Sequence, residues 1–241
     1  MNFKSSEINN WYETIPGKIN SKLILDTINK LFYLSKDKNI IYVGPSLIIK
    51  KLMCENYNFN SFYISSSESA DLNAELQKLP FKEASVDCII LIHSLEIDEN
   101  PHAVFREINR ILAEDGQLVI TGFNRVSFLG LYSFLPIKSI FKKKNYIKIS
   151  RLTDWMTLFS YDIRQIFNIN KIPPINNIKI LNYFLFLNKN PFSKINFFGN
   201  NYVIFAKKKT FKYISVKNWH KKNNIILGKF SKPVIHNNYE K

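Results

Sequence analysis

The chain of 241 residues is 46% hydrophobic and 15% aromatic, enough to bury a core and to exclude a disordered polymer. Two cysteines, Cys54 and Cys88, exclude a disulfide framework and a four-cysteine zinc site, and no metal is expected. The net charge of +15 is uneven: residues 1–120 carry −4 and residues 121–241 carry +19.

The elements follow in chain order. Met1-Asn2-Phe3-Lys4-Ser5-Ser6 lacks the apolar run of a secretory leader, and no stretch reaches the roughly 18–20 apolar residues of a membrane span, so a cytoplasmic location is expected. Pro16-Gly17 reads as a turn. Ile19, Leu23, Ile24, Ile28, Leu31 and Phe32 recur at helical spacing and predict a helix over 18–34. Residues 39–43 form a short apolar run, closed by Gly44-Pro45-Ser46 and followed by a helix through Lys50 and Met53. Residues 61–65 and 86–92 are two more strands; the second is apolar on both faces, as a central parallel strand must be.

Asn100-Pro101 is a helix start, an N-cap followed by proline. Its helix carries Val104, Phe105, Ile108, Ile111 and Leu112 on one face and is expected to stop at Asp115-Gly116. Residues 117–121 are the next buried strand. Alternating strands and helices with short links predict an α/β fold around a parallel sheet. Beyond it, helices are expected at 126–135 and 151–159, and strands at 162–169 and 202–206. Lys142-Lys143-Lys144 falls in a loop. The stretch 170–200 resists assignment, and residues after about 210 read as a basic, Asn-rich tail.

One segment carries a family pattern. It runs from Leu79-Pro80-Phe81, through Ser85-Val86-Asp87 and the strand to His93. Asn100-Pro101, then Glu107-Ile108-Asn109-Arg110-Ile111-Leu112, then Asp115-Gly116-Gln117-Leu118-Val119-Ile120 complete it. This resembles the type 11 (ubiquinone-biosynthesis-like) class I S-adenosylmethionine (SAM)-dependent methyltransferases. Three further pieces are similar to a bacterial branch of that family: residues 11–17, residues 122–130 and Leu152-Thr153-Asp154-Trp155. The resemblance implies a Rossmann-like methyltransferase fold, a mostly parallel seven-stranded sheet with an antiparallel last strand. The implied organisation is an N-terminal segment with a helix at 1–38, a methyltransferase-like domain at 39–208, and a flexible basic tail at 209–241.

The implied cofactor is SAM, bound at the C-terminal ends of the strands. By position, the residues toward it are Val43, Gly44 and Ser46, then Ser65, Glu75, Leu76 and His93. Asn124 and Arg125 fall on the acceptor side; the resemblance names no catalytic residue. The pattern departs from the family at two places. The glycine loop is reduced to Val43-Gly44-Pro45-Ser46, which loses an amide donor at proline. The acid that usually closes the second strand is replaced by Ser65-Ser66-Ser67, with Glu68 beyond.

The function implied is methyl transfer from SAM to an acceptor that the family does not fix, since its members act on quinones, other small molecules, lipids and RNA. The alternative is a catalytically inactive relative that binds nucleic acid, a protein partner or an anionic membrane surface through the basic half. Compositional drift explains the same charge: the bases are 29 Lys against 5 Arg, beside 29 Asn and 34 Ile, all but Arg encoded by A/T-rich codons. Specific phosphate recognition leans on Arg.

Overall fold

Seven strands make one sheet: β1 (Ile40–Val43), β2 (Ser61–Ser65), β3 (Leu72–Asn73), β4 (Val86–Ile92), β5 (Leu112–Phe123), β6 (Tyr161–Ile169) and β7 (Asn201–Lys208). The computed structural model describes residues 2–32, 38–55, 60–65, 70–133, 140–142, 146–175, 177, 179, 181–184 and 199–209. The strand order is β3-β2-β1-β4-β5-β7-β6. All neighbours are parallel except that β7 runs antiparallel to both β5 and β6.

The helices are α1 (Ser5–Glu13), α2 (Ile15–Phe32), α3 (Ser46–Glu55), α4 (Ser94–Ile97), α5 (Pro101–Ile111), α6 (Phe128–Tyr132) and α7 (Ile149–Leu158). They cover both faces of the sheet, which explains why β1 and β4 are apolar without alternation. Ile41, Val43, Ile89 and Leu91 face one layer, with Phe105 and Ile108 of α5 and Leu152 and Met156 of α7. Ile40, Tyr42, Ile90 and Ile92 face the other, with Ile8 and Tyr12 of α1, Ile24 and Ile28 of α2, and Ile48 of α3.

At two boundaries the difference from the sequence expectation has a visible physical cause. The second helix begins at Ile15, so Pro16-Gly17 is its first turn rather than a preceding loop. Thr14 makes this work: its hydroxyl accepts from Gly17 N–H and donates to Trp11 O, closing α1 and opening α2 at one residue. Proline in a first helical turn loses no intrahelical bond. The helix from Asn100 stops at Ile111, four residues before the expected Asp115-Gly116. Leu112 turns extended and pairs with Val86, and the ladder resumes at Gln117 opposite Cys88. Between them the chain bulges, with Asp115 at φ 61. Lys208 Nζ donates to the carbonyls of Asn109 and Leu112, so β7 supplies the cation at the end of α5.

α6 is shorter than expected, and residues 134–139 lie outside the described residues, as do Lys143, Lys144 and, from residue 210 on, the basic tail. Lys142 is exposed. Among the described residues no helix is long and apolar enough to cross a membrane.

Candidate cofactor and acceptor site

The order reverses between β1 and β4: the chain goes from β1 outward to β2 and β3, then returns to β4 on the other side. Open α/β sheets form a ligand crevice at the C-terminal edge of such a switch point. Val43 ends β1 there, level with Ile64 of β2 and Leu91 of β4. Ser65 ends β2 opposite Asn73 of β3, and Glu75 follows two residues later. The residues named from the sequence toward the cofactor therefore come from neighbouring chain segments along one edge. Ser66, Ser67 and Glu68 lie outside the described residues.

Gly44 leaves β1 at φ +150, and a Cβ there would sit 2.3 Å from the Ile92 carbonyl oxygen. Only glycine lets β1 and β4 approach so closely. The loop is tied down by side chains. Ser94 Oγ donates to Val43 O at 2.7 Å, and Tyr63 Oη donates to Gly44 O at 3.1 Å. The N-terminus of α3 is capped from α1: Asn9 Oδ1 accepts from Leu47 N–H at 3.2 Å, and Asn9 Nδ2 donates to Ser46 Oγ at 3.1 Å. The Glu75 side chain is exposed, and Leu76 packs partly against the core.

His93 differs from its neighbours in this list. Its backbone is left-handed (φ 53), and its ring is fully buried, turned inward instead of lining the rim. It stacks on Phe123 with centroids 3.9 Å apart. Nε2 lies 2.6 Å from Tyr12 Oη and 3.5 Å from Asn201 Nδ2; Nδ1 lies 2.9 Å from Glu96 Oε2. Glu96 Oε1 accepts from Phe123 N–H at 2.8 Å. The proton arrangement follows Glu96: ionised, it accepts from Nδ1–H while Tyr12 donates to Nε2; protonated, it donates to Nδ1 while Nε2–H donates to Tyr12 Oη. The triad thus joins α1, the end of β4 and the end of β5. Neither Tyr12 nor Glu96 is among the site residues named from the sequence; Tyr12 lies within the 11–17 stretch that is similar to one branch of the family.

Burial disfavours charge on both partners. It holds the His93 imidazole neutral down to about 3 and pushes the Glu96 carboxyl above the usual carboxylate range, against the pull of the Phe123 N–H. The two have opposite effects on stability. Below about pH 6.5 the unfolded His93 takes a proton that the folded one refuses, so its contribution falls as pH falls toward 3. The folded Glu96 protonates before the unfolded one, so its contribution is full below about 4.5 and fades as pH rises. Glu96→Gln removes the second effect while keeping the shape, because the imidazole can change tautomer. The variant is expected to lose stability from pH 6.5 downward more steeply than the parent, by up to about 1.4 kcal/mol per pH unit. Urea midpoints at pH 4.5, 5.5 and 6.5 measure this; parallel profiles would show that the pair does not titrate as described.

Asn124 and Arg125 follow β5. Asn124 Oδ1 accepts from Val126 N–H, and its carbonyl accepts from Ser127 Oγ, which in turn caps α6. Arg125 is exposed and has no carboxylate partner among the described residues. Both line a cavity of about 450 Å³ with Lys148, Ile149 and Ser150 at the start of α7, and Asn168 near the end of β6. Asn124 and Arg125, expected on the acceptor side, thus both border one cavity past the end of β5.

Comparison with known proteins agrees with this architecture. Residues 52–120 match the family model of a methyltransferase domain of type 11. The uncharacterized protein YafS of Escherichia coli is 28% identical over 157 residues, 64% of this chain and 65% of its own. The uncharacterized protein MJ1123 of Methanocaldococcus jannaschii is 32% identical over 85 residues, 34% of this chain and 42% of its own. The chain therefore spans less than two thirds of the length of either relative. A SAM-dependent methyltransferase of Thermotoga maritima superposes with TM-score 0.57 at 18% identity, covering 78% of this chain and 89% of the other. One from Archaeoglobus fulgidus superposes with TM-score 0.56 at 14% identity, covering 78% and 94%. At such identities the structural likeness speaks for the fold alone. The sequence match runs through β4 and α5 into β5 on a sheet with this strand order: over residues 52–120 the chain is similar to the type 11 methyltransferase domains, whose cofactor is S-adenosylmethionine.

Proposed function

We propose that the chain is an active SAM-dependent methyltransferase, with SAM along the β2-β1-β4 edge and the methyl acceptor beside the end of β5. The observation that carries this reading is the methyltransferase-domain match over residues 52–120, on a sheet whose switch point just before it has a glycine, Gly44, in close backbone contact with the end of β4. The donor set suits the cofactor. Ser46 Oγ accepts from Asn9 Nδ2, which leaves its own proton free to donate to a carboxylate at the positive end of α3. Val43 and Gly44 give backbone close to the crevice, with Gly44 adding no side chain to fill it. Ser65 offers a hydroxyl to a ribose, Glu75 a carboxylate to an amine, and Leu76 an apolar surface to a ring. His93 acts at one remove, as a buried strut that positions the end of β4.

When bound, SAM supplies a methyl group already activated by its sulfonium. The protein's part is then to orient the acceptor and exclude water. A base is needed only for an acceptor that must lose a proton. The buried His93 is not that base, since both ring nitrogens are engaged and no path to solvent opens onto them.

Glu75→Ala tests the cofactor assignment, because its side chain is exposed and the fold should not depend on it. Calorimetric titration is expected to show SAM affinity weakened by about tenfold or more, the scale of a lost hydrogen bond to a charged group. Unchanged affinity would remove Glu75 from the site.

A further inference from the structure

The cavity beside β5 has a chemistry of its own. Arg125 and Lys148 reach it from two different elements, the β5–α6 link and the residue before α7. Neither has a carboxylate partner among the described residues, and no acidic side chain lines the cavity. Two neighbouring charges are accounted for elsewhere. Arg151 lies over the Trp155 ring at 5.2 Å, and Glu96 is buried against His93. Tyr146 stands within electrostatic reach of both Glu96 and Arg125; burial and Glu96 raise its phenol, and Arg125 works against them, so it stays neutral. Lys148 also offers no side-chain cap to α7, so the first amides of that ten-residue helix are left without an internal side-chain acceptor.

The rest of the lining is mixed: the neutral polar Asn124, Ser150 and Asn168, and the apolar Val126, exposed at 63%, and partly exposed Ile149. The volume of about 450 Å³ is that of a small organic ligand, too small for a folded partner. Two cations without a carboxylate partner, two aliphatic side chains and three neutral polar ones fit an anion that carries an apolar body.

We propose that this cavity binds the methyl acceptor by an anionic head group, a carboxylate or phosphate carried on an apolar body. Arg125 grips the oxyanion through its fork, Lys148 adds a second charge, and Val126 and Ile149 cover the body. The acceptor role rests on the methyltransferase reading above; the anion preference rests on the cavity alone.

The test uses the full chain and three probes of one shape: benzoate, phenyl phosphate and the neutral benzamide. They are titrated at fixed ionic strength while amide resonances are followed by nitrogen-15 NMR. Saturable shifts at Ile149 and Ser150 are expected with at least one of the anions, and the tighter of the two names the head group. Benzamide should bind at least about tenfold more weakly, as should both anions to Arg125→Ala/Lys148→Ala, given the worth of charge-assisted hydrogen bonds. Both substituted residues are exposed, so the double variant should fold. Equal binding of benzamide, indifference to the double substitution, or no saturable shift with either anion would overturn the proposal. SAM titrated into the parent protein reads the enzyme assignment separately. Anion binding without SAM binding would support the cavity and sink the methyltransferase reading, whereas SAM binding without anion selectivity would do the reverse.

Discussion

Gly44→Val is expected to lower unfolding stability by at least about 3 kcal/mol and to remove SAM binding in whatever protein remains folded. Two costs combine. A φ of +150 is one that side chains with a Cβ rarely adopt, and the new Cβ would meet backbone, the Ile92 carbonyl at 2.3 Å, instead of a side chain able to move. Relief would require β1 and β4 to part at the switch point, where Val43 and Leu91 are now in register. Gly44→Ala should show the same sign. Denaturant midpoints at unchanged slope measure the effect; a midpoint equal to that of the parent would show that the loop accommodates a side chain.

Glu96→Leu is expected to cost about 3–5 kcal/mol, the scale for removing one member of a buried charged or strongly polar pair. The leucine would leave His93 Nδ1 and Phe123 N–H without partners in a site closed to water. Tyr12→Phe removes one contact from the other end of the triad and should cost less, about 1–2 kcal/mol. The ranking is the informative part. If Tyr12→Phe proved the more damaging, the triad would be held through α1 and not through the β4–β5 junction.

The central sheet was readable because its strands are buried on both faces, and Ile89-Ile90-Leu91-Ile92 has no alternative as a loop or an amphipathic helix. The antiparallel order around β7 was readable only through the family resemblance. Periodicity says nothing about direction. β3 is two residues long and carries no period at all. The end of α5 is not legible in the sequence because Leu112 suits a helix face and a strand equally, and pairing with Val86 decides between them. α1 does carry a sequence signal: Ile8, Trp11 and Tyr12 have helical spacing and are all buried.

At the site, Gly44 was identified by its place after a buried strand, and its requirement is geometric. The inward turn of His93 was not readable, since a single left-handed residue reverses where the side chain points. Nor was the cap that Asn9 places on α3, a contact across 38 residues that local pattern cannot reveal. That cap also bears on the shortened glycine loop. Pro45 removes an amide, and Asn9 steadies the helix end that the lost glycines would otherwise leave to the cofactor.

The most direct test is calorimetric titration of the folded 241-residue chain with SAM and with its demethylated product, S-adenosylhomocysteine. One saturable site for each, with affinity tighter than millimolar, is the predicted result, and Gly44→Ala and Glu75→Ala should both weaken it. No heat of binding for either ligand at millimolar concentration, from protein shown to be folded, would contradict the account and leave the fold without the cofactor that the methyltransferase-domain match implies.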